Sequence, residues 1–124
     1  MQLACDQAAG TIARLAGQEP PKFESELKTI DDLKARIGRT LEYVQRTPET
    51  AFAGADDREI RIPIPEMSAE FVMTGVQFLR DWGLPHFYFH VVTAYDILRH
   101  NGVEIGKRDY LSYVGGYLRQ LDKK

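Results

Sequence analysis

The sequence predicts a predominantly helical domain carrying one small β-hairpin. Three observations lead there. Apolar residues recur at steps of three and four in several separate segments, which is the helical period. Capping and stop signals (Thr29 ahead of Asp32, Gly17, Thr47-Pro48, Asn101-Gly102) stand where those segments begin or end. Only the stretch from Arg58 to Met73 alternates with the period of two that marks strands. With 124 residues, the chain is read as one domain, with the hairpin near 58–74.

In chain order, Met1, Cys5, Ala8, Ile12 and Leu15 trace a first helix with small residues on its inner face. Gly17 stops it and Pro20-Pro21 forbids continuation. No capping residue precedes it, so the chain starts inside its own periodic pattern, which suggests a lost upstream element. A second helix is capped by Thr29, has Asp32 in its first turn, and shows the stripe Ile30, Leu33, Ile37, Leu41 and Val44. Thr47-Pro48 ends it, and Gly38 in its middle suggests close packing against a neighbour. Ile60, Ile62 and Ile64 share one face of an extended run whose Pro63 and Pro65 confine it to an edge; Phe71 and Met73 share a face of the next run. Two strands cannot support a fold, so the hairpin is expected as an appendage.

Thr74 to Gln77 forms a capping box, opening a short helical stretch through Val76, Phe78, Leu79 and Trp82. Gly83 and Pro85 are expected to kink or break it. From His86 to His100, the spacing of Phe87, Val91, Ala94, Tyr95 and Leu98 favours helix over strand, closed by Asn101-Gly102. A last helix over about 107–122 would carry Tyr110, Val114, Tyr117 and Leu121, weakened by Gly115-Gly116.

A net charge of -2, with cations scattered among acids, offers no electrostatic footprint for nucleic acid. No apolar run reaches the roughly 20 residues that span a bilayer, and the start lacks the pattern of a signal peptide. A single cysteine, Cys5, excludes an internal disulfide and fits a reducing compartment, so cytoplasm is the expected location.

The chemistry-bearing pattern is His86-Phe87-Tyr88-Phe89-His90. Two imidazoles four residues apart stand ~6 Å apart on one helix face and can grip one divalent metal. The competing reading makes both structural, packed beside Phe87 and Phe89 with their nitrogens satisfied locally. Two ligands fall short of the usual three, so a third must come from another helix; Cys5, Asp6 and Gln2 are the candidates. Cys5 would ligate as thiolate, although a small buried hydrophobe is the commoner role. His100 suits the helix C-terminus, Asp96 and Arg99 suit a solvated face, and Tyr110, Tyr113 and Tyr117 suit core or interface. The chain has no phosphate loop, no CxxC and no nucleophile elbow, and Phe87 stands where a zinc protease needs its glutamate.

From Leu84-Pro85-His86 through Val91-Val92-Thr93-Ala94-Tyr95, Ile97-Leu98-Arg99-His100-Asn101-Gly102-Val103 and Gly106-Lys107-Arg108-Asp109-Tyr110-Leu111, the chain closely resembles a bacterial domain-of-unknown-function family, numbered nineteen ninety-three, of the DinB/YfiT-like superfamily. Gln2-Leu3-Ala4-Cys5-Asp6, Ala13-Arg14-Leu15-Ala16-Gly17, Pro20-Pro21 and Asp57-Arg58-Glu59-Ile60 agree as well. The resemblance implies an all-α, up-and-down four-helix bundle with a β-hairpin insertion. It also implies a three-histidine divalent-metal site that in some members activates a low-molecular-weight thiol. His86 and His90 match the paired histidines by spacing, whereas the helix from Gln2 to Ala16 has no histidine, leaving Cys5 or Asp6 to substitute. Members carry a further N-terminal helix ahead of the segment matching Met1 to Cys5, so the resemblance implies a missing helix and an exposed apolar groove. Val114, Leu118 and Leu121 of the last helix would fill that groove in their own chain or in a partner's.

Two functional expectations follow. In the first, His86 and His90, with Cys5 or Asp6, hold Zn²⁺ or Ni²⁺ for thiol chemistry in a cytoplasmic homodimer with no nucleic-acid or membrane partner. In the second, a non-catalytic dimeric bundle binds a small apolar ligand or a protein partner, and both histidines are structural.

Overall fold

A computed structural model of the chain describes residues 1–23 and 26–119. Helices dominate, beside a single two-stranded sheet among the described residues. The chain divides into two compact units, Met1–Val92 and Thr93–Lys124.

In the first unit, α1 spans Gln2–Leu15 and has no side-chain cap at its start. Its end is closed by Gly17 at φ +69°, a conformation that side chains resist. The Arg58 guanidinium reaches back to the Leu15 carbonyl, placing a cation where the helix leaves its last acceptors unsatisfied. The buried residues are Ala4, Cys5, Ala9, Gly10, Thr11, Ala13 and Leu15, a wider band than the expected stripe. Met1 is exposed and Ala8 and Ile12 are only half-buried. The band is wide because α1 serves two neighbours, and its small residues let both come close.

One neighbour is α2, Ile30–Arg46. Thr29 and Asp32 form a reciprocal capping box at its start. Its buried side chains are Arg36 and Thr40 rather than the apolar stripe, of which Ile30 and Leu41 are exposed. Arg36 tolerates burial because its charge is matched: it pairs with Asp6 of α1, donates to the Phe23 carbonyl at 3.1 Å, and lies 4.1 Å over the Phe23 ring. The Thr40 hydroxyl donates to the Arg36 carbonyl at 2.9 Å. A Cβ on Gly38 would meet nothing within 4 Å, so the expected close packing there does not occur.

Strands β1 (Ile60–Ile64) and β2 (Ala69–Met73) pair antiparallel, with Ile60 opposite Met73 and Ile64 opposite Ala69. Ile60 is buried with Leu15 and Phe78, and Phe52, Ile62, Met73 and Trp82 pack around them. The hairpin is therefore part of the core and not the appendage expected from its size. On its outer face Arg61 lies between Glu59 at 2.8 Å and Glu70 at 2.5 Å.

Thr74 and Gln77 form the expected capping box on α3, the single turn Gly75–Gln77. No break follows. Phe78–Gly83 is a π-helix in which the Leu84 N–H donates to the carbonyl of Leu79, five residues back. The helix then continues as α4, Leu84–His100. The wider π turns absorb Gly83 and Pro85, so the residues expected to interrupt the helix change its register instead. Gly83 lies against Thr11 of α1, where a Cβ would come within 2.7 Å of Thr11 Cγ2. No residue of α4 is buried.

In the second unit, Gly102 at φ +83° ends α4, with Val103 N–H donating to the Leu98 carbonyl at 3.1 Å. The Tyr95 hydroxyl donates to the Gly106 carbonyl at 2.6 Å, and its ring meets Tyr110 edge-on at 5.5 Å. The expected long last helix is not seen among the described residues. Lys107–Tyr110 forms one α turn, α5, and Ser112–Tyr117 a 3₁₀ helix through Gly115-Gly116; Leu121 lies outside the described residues. Tyr113 and Tyr117 are exposed, not core. Among the described residues, no helix is long and apolar enough to cross a membrane.

Candidate functional site

The histidine pair sits on the first turns of α4, directly after the π-helix. His86 is fixed from several directions. Its Nδ1 lies 2.8 Å from the Trp82 carbonyl. A carbonyl only accepts, so Nδ1 is the donor in this contact and Nε2 is the ring nitrogen that Trp82 does not engage. The imidazole also stacks on the Trp82 indole, centroids 4.4 Å apart at 30°. Trp82 itself meets Phe71 of β2 at 5.2 Å and packs on the Leu15–Ile60–Phe78 core. The hairpin and the core thus set the orientation of the His86 ring through one indole.

His90 lies one turn further on, half-buried, with the Phe89 ring edge-on at 5.3 Å. Pro85, His86, Phe89 and His90 line a shallow depression of about 420 Å³. The nearest acid in sequence, Asp81, is held by Arg80 through contacts of 2.7 and 2.6 Å, and the Arg80 hydrogen bonds keep its pKa below the usual carboxylate range.

The expected additional ligands are placed elsewhere. Asp6 is engaged by Arg36 across the α1–α2 contact, and Cys5 is buried in α1 as a free cysteine. Among the described residues, no three His, Cys, Asp or Glu side chains come together in a way that could hold a metal. Cys5 and Asp6 therefore do not join His86 and His90 in a three-ligand group. The physical reason for Asp6 is a competing cation: a buried guanidinium on α2 demands a carboxylate, and Asp6 supplies it. The two imidazoles fit a metal as a bidentate grip but do not complete a coordination shell.

A second feature lies beside the pair. Ala8, Thr11 and Ile12 of α1, Val44 of α2, Leu79 and Phe87 line an apolar cavity of about 200 Å³. Thr11 is buried and its hydroxyl has no hydrogen-bond partner. Sequence reading named Ile12 and Phe87 as helix-face residues but gave no sign of this cavity, which depends on how closely Gly83 lets the π-helix approach α1. The Trp82–His86 contact was equally hidden, although an aromatic four residues ahead of a histidine on a continuous helix is a readable signal.

A family model for a domain of unknown function, DUF1993, matches residues 1–111. The chain belongs to the DUF1993 family. Its structure is similar to that of a solved DinB family member protein from Shewanella denitrificans, with a TM-score of 0.76 and 39% sequence identity. That similarity covers 99% of this chain and 65% of the Shewanella protein, so this DUF1993 chain spans about two thirds of its solved relative. No curated protein matches the chain. The likeness supports a DinB-like fold for this DUF1993 member, dominated by helices and carrying a small two-stranded sheet.

Proposed function

We propose that this DUF1993 protein is a cytoplasmic, DinB-like helical bundle whose α4 binds a divalent metal, Zn²⁺ or Ni²⁺, through His86 and His90. In this reading α1, α2 and α4 are helices of an up-and-down four-helix bundle. The observation that carries the metal reading is the contact of His86 Nδ1 with the Trp82 carbonyl. Metal-ligating histidines commonly donate their other ring N–H to such an acceptor, which fixes the tautomer and raises the basicity of the ligating nitrogen. When bound, the metal would lower the pKa of a coordinated thiol or water and act as a Lewis acid. The residues of the chain contribute position: Trp82 holds the His86 ring, and Pro85 and Phe89 shield one flank of the depression.

Elemental analysis of untagged protein, beside the His90→Ala variant, tests this reading. Bound metal in the parent and its loss in the variant is the expected result. A metal-free parent, with a variant that is merely less stable, would leave both histidines structural. A non-catalytic bundle that takes a small apolar ligand is the alternative, favoured by the cavity between α1 and Phe87. An apolar cavity of about 150 Å³ is large enough for benzene, so a monocyclic aromatic probe that raises the melting temperature of the parent would support it.

A further inference from the structure

We propose that a polar depression between α1, α2 and the segment that follows α1 binds a phosphate group, free or carried by a monoester. It is separate from the histidine pair and independent of the metal reading above. The depression, of about 480 Å³, is lined by the cations Arg14, Lys22 and Arg36, by Asp6, and by the amides of Gln2 and Gln7.

The α1 side is built from a four-residue repeat. Gln2, Asp6, Gly10 and Arg14 follow one another at helical steps, and all four line the depression as one ridge. Gly10 leaves a notch in that ridge. Arg14 Nη1 donates to the Gly10 carbonyl at 3.2 Å, and a Cβ at position 10 would stand 2.9 Å from the same nitrogen. The Arg14 guanidinium is thereby folded back along α1, half-buried, with one of its five N–H groups spent on that carbonyl. Among the described residues, no carboxylate forms an ion pair with Arg14 or Lys22.

The α2 side supplies a cation that is already desolvated. The Arg36 side chain is 4% exposed; it pairs with Asp6 and donates to the Phe23 carbonyl, while its Nε has no hydrogen-bond partner. Arg14, Lys22 and Arg36 face one acid, Asp6, so two positive charges are left unanswered there in a chain whose net charge is -2. A phosphate dianion answers both charges, whereas a carboxylate would answer one. Planar guanidinium forks match phosphate oxygens, and the Gln2 and Gln7 amides add neutral donors around them. Pro20 and Pro21 stiffen the backbone leading to Lys22, which lessens the freedom lost when an anion is held.

The test is calorimetric titration of the full chain with inorganic phosphate, phenyl phosphate and acetate, at constant ionic strength. Chelator is present so that no metal carries the anion, and the pH is about 8, where a phosphate monoester is a dianion. Saturable binding of one phosphate per chain, at least tenfold tighter than acetate, is the expected result. Tighter binding of phenyl phosphate than of inorganic phosphate would assign the site to a monoester, and equal or weaker binding to the free ion. Arg14→Gln and Lys22→Gln should each weaken phosphate binding several-fold. Gly10→Ala is the sharper variant. Alanine favours the helix, so the melting temperature should not fall, yet its Cβ displaces the Arg14 guanidinium and should weaken phosphate binding at least tenfold. Equal affinity for phosphate and acetate, or no binding of either, would overturn the proposal. So would phosphate binding that survives both Arg14→Gln and Gly10→Ala unchanged.

Discussion

Arg36 brings a full charge into the contact between α1 and α2, and its surroundings decide whether that is tolerable. Its side chain is 4% exposed, against 39% for its partner Asp6. Removing the carboxylate strands the guanidinium, whose Nε already has no hydrogen-bond partner. Asp6→Ala is therefore expected to cost about 1–3 kcal/mol in chemical denaturation, the range for leaving a buried polar group unpaired; an unchanged midpoint would mean that the pair is ornamental. Thr11 is the opposite case, because its buried hydroxyl makes no hydrogen bond to lose. Thr11→Val keeps the shape and removes the unsatisfied group, so the variant should be more stable than the parent by about 1 kcal/mol. Gly75 leaves least room: a Cβ there would fall on the Ala55 carbonyl oxygen, a backbone atom that cannot swing aside. Gly75→Ala should destabilise by about 3 kcal/mol, at the upper end of the usual overpacking cost.

Among the elements, α2 depends most visibly on its cap. The Thr29 hydroxyl accepts the Asp32 N–H at 3.1 Å, and the Asp32 carboxylate accepts the N–H groups of Thr29 and Lys28 at 2.9 and 3.1 Å. Thr29→Ala should cost about 1 kcal/mol, read from the thermal midpoint. Hydrogen bonding to the Asp32 carboxylate, from the Thr29 side chain first and then from the N–H groups of Thr29 and Lys28, lowers its pKa from the ordinary value. A depressed carboxyl pKa adds stability above the unfolded value of about 3.9 and loses it as pH falls through the folded value. Asp32→Asn should therefore flatten the acid limb of the stability curve below about pH 4 and leave its shape near neutrality unchanged. For the helix that follows the hairpin, the π segment has the larger consequence. It keeps Phe78–Gly83 and α4 in one continuous rod despite Pro85, and it puts the Trp82 carbonyl within reach of His86.

At the scale of the molecule, burial is uneven. The core of Leu15, Ile60 and Phe78 ties α1, the hairpin and the π-helix together, whereas α4 buries no residue. Hydrogen exchange should follow that gradient: amides in the middle of α1 protected most, those of α4 exchanging sooner through local opening. Mass spectrometry of the exchanging chain would show it, and uniform protection of both helices would contradict it.

Local signals were legible because each depends on a few neighbouring residues. Thr29 with Asp32, Thr74 with Gln77, Gly17 and Gly102 announced helix ends, and the alternation of Ile60, Ile62 and Ile64 announced a strand. The four-residue step between His86 and His90 likewise put both on one helix turn. What the linear chain could not show was which face of α2 turns inward, because Arg36 is buried against partners distant in sequence, Asp6 and Phe23. Nor could it show that Gly83 and Pro85 would widen a helix instead of breaking it. The sequence by itself determined α1, α2 and the hairpin strands, the caps at Thr29 and Thr74 and the spacing of the histidines, since those follow from backbone sterics and short-range hydrogen bonds. Only the tertiary structure decided that Asp6 belongs to Arg36 and that Trp82 orients His86, because competition between distant partners is settled by packing.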